Sequence, residues 1–216
     1  MQLKEQTEIY RRNWVRLYDT ERIFESKGHF KPHAAVLVRI KPSLWMPVQK
    51  LQGSLEEIEP DHEYLHPLVF HLSLKYCGNF DDEISEEIIP DVADACRRVL
   101  TEFHPFEVTL KGLNVFCGCV FIQVFSPDGT LYKLHNALQD ELMKIAMECP
   151  KVQGKNFILH VTIVTLNHRP NEMFKALRKY RDVKIGEMIV DTVELVKGIP
   201  HLTINRIKTY ETFPLR

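Results

Sequence analysis

Two short stretches decide how this chain reads: Phe70-His71-Leu72-Ser73-Leu74-Lys75 and Leu159-His160-Val161-Thr162-Ile163-Val164. Each alternates with period two, the pattern of a strand that buries one face. Alternate side chains of a strand stand on one side, about 7 Å apart. Leu72 and Leu74 therefore turn one way, and His71, Ser73 and Lys75 the other. Likewise Val161 and Ile163 oppose His160 and Thr162. Each strand is expected to present an imidazole beside a hydroxyl on its polar face.

That pairing, made twice, suits one kind of chemistry. Splitting a phosphodiester requires a base for the attacking oxygen and an acid for the leaving oxygen. Histidine serves both roles because its ordinary pKa lies near 6.5. A hydroxyl beside each ring supplies a donor to the non-bridging oxygens. With the two strands side by side, four groups converge on one phosphate, and no metal or other cofactor is required. A single His-x-Ser/Thr triplet arises by chance. Two, each centred in a strand and separated by a helix-rich unit, carry far more weight.

Outward from these strands, residues 33–40 read as an apolar strand, and Pro47 opens a helix to about Ile58. Residues 59–67 read as a loop. Val92, Ala95, Cys96, Val99, Leu100 and Phe103 predict a helix over 90–103. Strands follow near 106–111 and 115–125, then a turn at Ser126-Pro127-Asp128-Gly129. A helix carrying Leu131, Leu134, Leu138, Leu142 and Ile145 comes next. Residues 157–166 are a strand, 171–181 a short helix, and 184–213 two strands around Gly198-Ile199-Pro200. Strands and helices alternate unevenly, which implies an α+β fold. Residues 1–30 read as a helical extension with Ile9, Trp14, Leu17 and Tyr18 on one face.

The 216 residues suffice for a self-sufficient core. With 28 basic and 29 acidic side chains, the net charge of −1 argues against a protein that coats long nucleic acid. Recognition of a single nucleotide or strand end stays open. No apolar run is long enough to span a membrane, and the polar N-terminal residues do not read as a secretory signal. Cys77, Cys96, Cys117, Cys119 and Cys149 are odd in number and contain no C-x-x-C. Reduced thiols in the cytoplasm, or in the nucleus, are the expectation.

The chain from about His33 onward resembles the two-histidine (2H) phosphoesterase superfamily, which includes RNA 2′,3′-cyclic phosphodiesterases once called 2′-5′ RNA ligases. The likeness rests on the 71–78 strand, on Phe106 to Phe116, on His160-Val161-Thr162 and on Val193-Glu194-Leu195-Val196-Lys197. It implies a bilobal domain over 31–216, with a pair of antiparallel sheets related by a pseudo-two-fold, helices outside and a cleft between the lobes. It further implies that His71 and His160 are the catalytic pair and that Ser73 and Thr162 bind phosphate. Lys75 matches a position that is often basic, and strand parity predicts its ammonium on the cleft face. By analogy with the cyclic phosphodiesterases, His160 is the base, His71 the acid and a 2′-phosphate the product. The implied partner is an RNA 3′ end, oligonucleotide or small nucleotide, acted on by a monomer. Other activities of the superfamily, on 2′-5′ oligoadenylate or terminal RNA linkages, and non-catalytic binding of an RNA end remain alternatives.

Other motifs read differently. His62-Glu63-Tyr64-Leu65-His66 fits the H-E-x-x-H zinc signature, which needs a continuous helix. Pro60 and Pro67 break such a helix, so a polar loop is expected. His201-Leu202-Thr203 opens a strand after Pro200 and reads as a turn-proximal histidine. Arg11, Arg12 and Arg16, with Tyr10 and Trp14, could line a nucleic acid strand. A helix packed on the domain with a solvated basic face is the preferred reading.

Overall fold

A computed structural model describes residues 3–16, 32–80, 82–116, 118–145, 157–170, 172–198 and 207–216. Helix α1 (Leu3–Arg16) is followed by β1 (His33–Arg39), α2 (Trp45–Glu56), β2 (Glu63–Tyr64) and β3 (His71–Asn79). Then come α3 (Ile89–Leu100), β4 (Phe106–Phe116), β5 (Cys119–Phe125), α4 (Thr130–Met143) and β6 (His160–Thr165). The chain continues through α5 (Glu172–Leu177), β7 (Lys184–Val190), β8 (Thr192–Gly198) and β9 (Lys208–Pro214). The strands form two antiparallel sheets, one in the order β3-β1-β8-β9 and the other β2-β6-β5-β4-β7. This is the expected α+β architecture.

Local chemistry explains the elements. α3 has Pro90 in its first turn, where a missing N–H costs little, and Arg97 and Arg98 in its last turn, where cations suit the helix dipole. Its Val92, Ala95, Cys96, Val99 and Leu100 are buried, and the helix packs against α4. α4 starts at Gly129, whose φ of 73° is left-handed. The Ser126 hydroxyl accepts from the Leu131 N–H at 3.1 Å and so satisfies one of the helix's orphan donors. On the strand side, Leu72, Leu74, Val161 and Ile163 are all fully buried in one large apolar core.

Two stretches depart from the sequence reading. The strand expected to stop near 111 runs on to Phe116, because Gly112, at φ 78°, absorbs a bulge in the β4–β5 pairing. A Cβ at Gly112 would collide with the Arg181 carbonyl and the Gln123 amide. The tail holds three strands among the described residues. Apolar alternation through Met188 and Val190 changes phase before Val193 and Leu195, and the chain leaves one sheet for the other at Asp191, between the two pairs. Lys41 clamps that crossing, its Nζ 2.6 and 2.7 Å from the two Asp191 carboxylate oxygens.

Candidate active site

The edge strand β3 of the four-stranded sheet packs against β6 of the five-stranded sheet. The two triplets thus lie on neighbouring strands of different sheets. Along both, the first and third residues are half-buried and the second and fourth fully buried. His71 and Ser73 on one strand, and His160 and Thr162 on the other, keep the parity read from sequence.

The two imidazoles are held alike. His71 Nδ1 lies 2.8 Å from the carbonyl of Val69, and His160 Nδ1 lies 2.8 Å from the carbonyl of Ile158. A carbonyl only accepts, so Nδ1 carries the proton in each ring and Nε2 is left as the basic nitrogen. In both strands the partner is the carbonyl two residues back. One local geometry, repeated far along the chain, presents two equivalent bases.

Burial lowers the pKa of both rings. His71 falls to about 4, chiefly through burial, with the charges of Arg39, His160 and His33 adding to the effect and the Val69 carbonyl opposing it. His160 is lowered by burial against the opposing pull of the Ile158 carbonyl. At neutral pH both imidazoles are therefore neutral.

Several neighbours shape the site. Arg39 is the cross-strand partner of His71, and its Nε donates to Glu194 Oε2 at 3.0 Å. The sequence shows a cation closing an apolar strand, but not that His71 lies beside it. Phe121 meets the His160 ring edge-on, with centroids 5.4 Å apart. The Thr162 hydroxyl donates to Cys119 Sγ at 3.8 Å.

Lys75 is a correction. Val36 faces Lys75 and the next residue, Leu37, faces Ser73, so Leu74 is an extra residue in β3. The bulge breaks the alternation on which the expectation rested. Lys75 is fully buried, and its ammonium donates to Gln139 of α4 instead of standing on the exposed face with His71 and Ser73.

Several other described histidines hold structural contacts. His62 lies in a turn, 3.0 Å from a Glu59 carboxylate oxygen and accepting at Nδ1 from the Asn167 N–H. Residues 63–64 are a strand, and His66 caps the 3-10 turn at 67–69, so no helix carries the H-E-x-x-H pattern. Buried His135 donates to the Leu74 carbonyl and stacks on Phe157, and His104 binds the Arg216 carbonyl. His201 lies outside the described residues. Arg11 and Arg12 are exposed, whereas Tyr10 is 3% exposed and has no face to offer a base.

The 2′-5′ RNA ligase superfamily profile matches residues 40–202. A protein of Methanothermobacter thermautotrophicus named RNA 2′,3′-cyclic phosphodiesterase is 23% identical over 175 residues, covering 78% of this chain and 90% of that one. A protein of the same name from Archaeoglobus fulgidus is 25% identical over 168 residues, covering 74% and 83%. Among solved structures, TT0787 of Thermus thermophilus superposes with a TM-score of 0.65 at 19% identity, over 85% of this chain and 98% of that one. Escherichia coli LigT in complex with 3′-AMP gives 0.65 at 14% identity, over 86% and 99%. Paired His-x-Ser/Thr strands, two antiparallel sheets and a profile match over most of the length all agree: the chain belongs to the 2′-5′ RNA ligase superfamily, the two-histidine phosphoesterases.

Proposed function

We propose that the protein hydrolyses 2′,3′-cyclic phosphates at RNA 3′ ends or on nucleotides, with His71 and His160 as the acid–base pair. The observation that carries this reading is the repeated anchor. Two half-buried imidazoles on adjoining strands are each fixed as the Nδ1–H tautomer by the carbonyl two residues back. The names of the relatives support the substrate class.

In this scheme His160, neutral, takes a proton from water as the water oxygen attacks phosphorus. His71, protonated, delivers its Nε2 proton to the departing ribose 3′ oxygen and leaves a 2′-phosphate. Ser73 donates to the non-bridging oxygens, where charge builds in the transition state, and Thr162 does so once its hydroxyl turns from Cys119 Sγ to the phosphate. Arg39 beside His71 disfavours the imidazolium until an anion sits against the pair. The cyclic phosphate, itself an anion, supplies the field that protonates the acid. Cys77, Cys96 and Cys119 are buried thiols that form no disulfide, which suits the reducing cytoplasm where we place the enzyme.

Side-by-side incubation with an oligonucleotide ending in a 2′,3′-cyclic phosphate and with 2′-5′ oligoadenylate tests the proposal. Products are read by mass and by phosphatase sensitivity. The cyclic end is expected to open to a 2′-phosphate at a rate unaffected by EDTA. Cleavage of the oligoadenylate alone would move the protein to another activity of the superfamily, and turnover abolished by EDTA would overturn the acid–base scheme.

A further inference from the structure

Helix α1 lies outside the region matched by the superfamily profile, yet it is built into the face that carries His160. Val120, Ile122 and Val124 of β5 point into the main core. Cys119 and Phe121 point the other way and form a separate cluster with Tyr10, flanked by Phe125 and Ile158. Phe121 is the residue whose ring edge meets the His160 imidazole. Tyr10 packs on Phe125 at 5.1 Å, so α1 and the catalytic ring share one apolar layer.

The polar end of Tyr10 goes to a particular place. Register pairing of β5 with β6 ends at Gln123 opposite His160. The next link, Val124 N–H to the Leu159 carbonyl, is stretched to 3.3 Å. The Tyr10 hydroxyl bridges that gap. It accepts from the Val124 N–H at 3.0 Å and lies 2.5 Å from the Leu159 carbonyl and 2.7 Å from the Val124 carbonyl. Gln6 Nε2 also donates to the Val124 carbonyl at 2.5 Å, so that carbonyl has a second donor, and of the two carbonyls facing the tyrosyl proton Leu159 is the nearer. The Tyr10 backbone is tied down too, its carbonyl accepting from Asn114 Nδ2 at 3.1 Å. Burial pushes the phenol well above its ordinary pKa, so the hydroxyl stays a donor at any working pH.

Two consecutive carbonyls therefore do two jobs. The one at Leu159 is gripped by Tyr10, and the one at Ile158 holds the Nδ1 proton of His160. Residues 157–159 precede the first ladder pair of β6, so this grip orients the peptide planes just ahead of the ring. We infer that Tyr10 is a positioning residue for His160: its hydroxyl fixes the peptide planes at 158–160 and thereby keeps Nε2 directed at the phosphate. The kinetic part of this inference rests on the proposed function, and its spectroscopic part does not.

The test is Tyr10→Phe, which keeps the ring in its layer and removes only the hydroxyl. Histidine side-chain 15N spectra report the tautomer of each ring, and kcat and KM are measured on a 2′,3′-cyclic nucleotide. Wild type is expected to show His160 wholly as Nδ1–H. The variant shows a mixture at His160 with His71 unchanged, and its kcat falls about tenfold while KM stays within about twofold. Ile9→Ala loosens the packing of α1 without touching the hydroxyl, and it keeps the wild-type tautomer and kcat at temperatures below its unfolding midpoint. An unchanged His160 tautomer in Tyr10→Phe overturns the inference, as does wild-type kcat in that variant. If Ile9→Ala reproduces the Tyr10→Phe effects, general loosening is the cause and the inference also fails. A tautomer shift in a protein that opens no cyclic phosphate would leave the positioning intact and remove the proposed function.

Discussion

Alanine at His71 or at His160 lowers kcat on a 2′,3′-cyclic phosphate by at least about a hundredfold, the typical contribution of one positioned acid or base. The two losses do not multiply. Proton removal from water and proton delivery to the ribose oxygen belong to one displacement, so the double variant turns over at about the rate of the slower single. Each substitution also strips a partner from a carbonyl, Val69 in one case and Ile158 in the other, at a cost of about 1 kcal/mol in stability. Unfolding midpoints separate that loss from chemistry. His104→Ala, at an exposed ring tied to the chain terminus, keeps kcat within about twofold. Single-turnover rates with purified variants check the result. Wild-type turnover by either alanine variant would remove that ring from the mechanism.

The second large effect is in pH. Productive encounter of free enzyme with free substrate needs one ring neutral and the other protonated. Burial and neighbouring cations set the pKa of His71 at about 4, and burial holds that of His160 below its ordinary value. Above both values neither ring carries a proton, and below both neither can act as a base. The profile of kcat/KM is therefore a bell whose maximum lies below about pH 6.5, with an alkaline limb falling about tenfold per pH unit. The two limbs belong to the coupled pair and not to single residues. The bound phosphate anion favours imidazolium, so the bell for kcat is displaced to higher pH. Arg39→Gln removes a cation beside His71 and raises its pKa, which moves the bell toward higher pH. Rates from about pH 4 to pH 9 check these signs. A kcat/KM maximum above about pH 7.5 would contradict them.

What could be read from residues alone follows from what each pattern encodes. Alternation placed His71, Ser73, His160 and Thr162 correctly, since a buried face of Leu72, Leu74, Val161 and Ile163 allows only one register. The same rule failed one step later at Lys75, because a bulge at Leu74 is a pairing event and leaves no mark in a single strand's sequence. The switch of sheets at Asp191 does leave a mark, a change of phase between Val190 and Val193, but a change of phase does not say which sheet each half joins. Pro60 and Pro67 were enough to dismiss the H-E-x-x-H pattern, since backbone restriction at proline is local. Tyr10 and Arg39 were illegible as neighbours of the site. Both reach it through contacts with residues distant in the chain, and only the assembled sheets bring them there.

Everything in the mechanism depends on two rings serving one phosphate. Titration of the 15N-histidine-labelled protein with adenosine 2′-phosphate, the expected type of product, measures this directly. The Nε2 signals of His71 and His160 should both move, along one saturation curve and with one dissociation constant. A response from only one ring, or two curves saturating at different concentrations, would contradict a shared site.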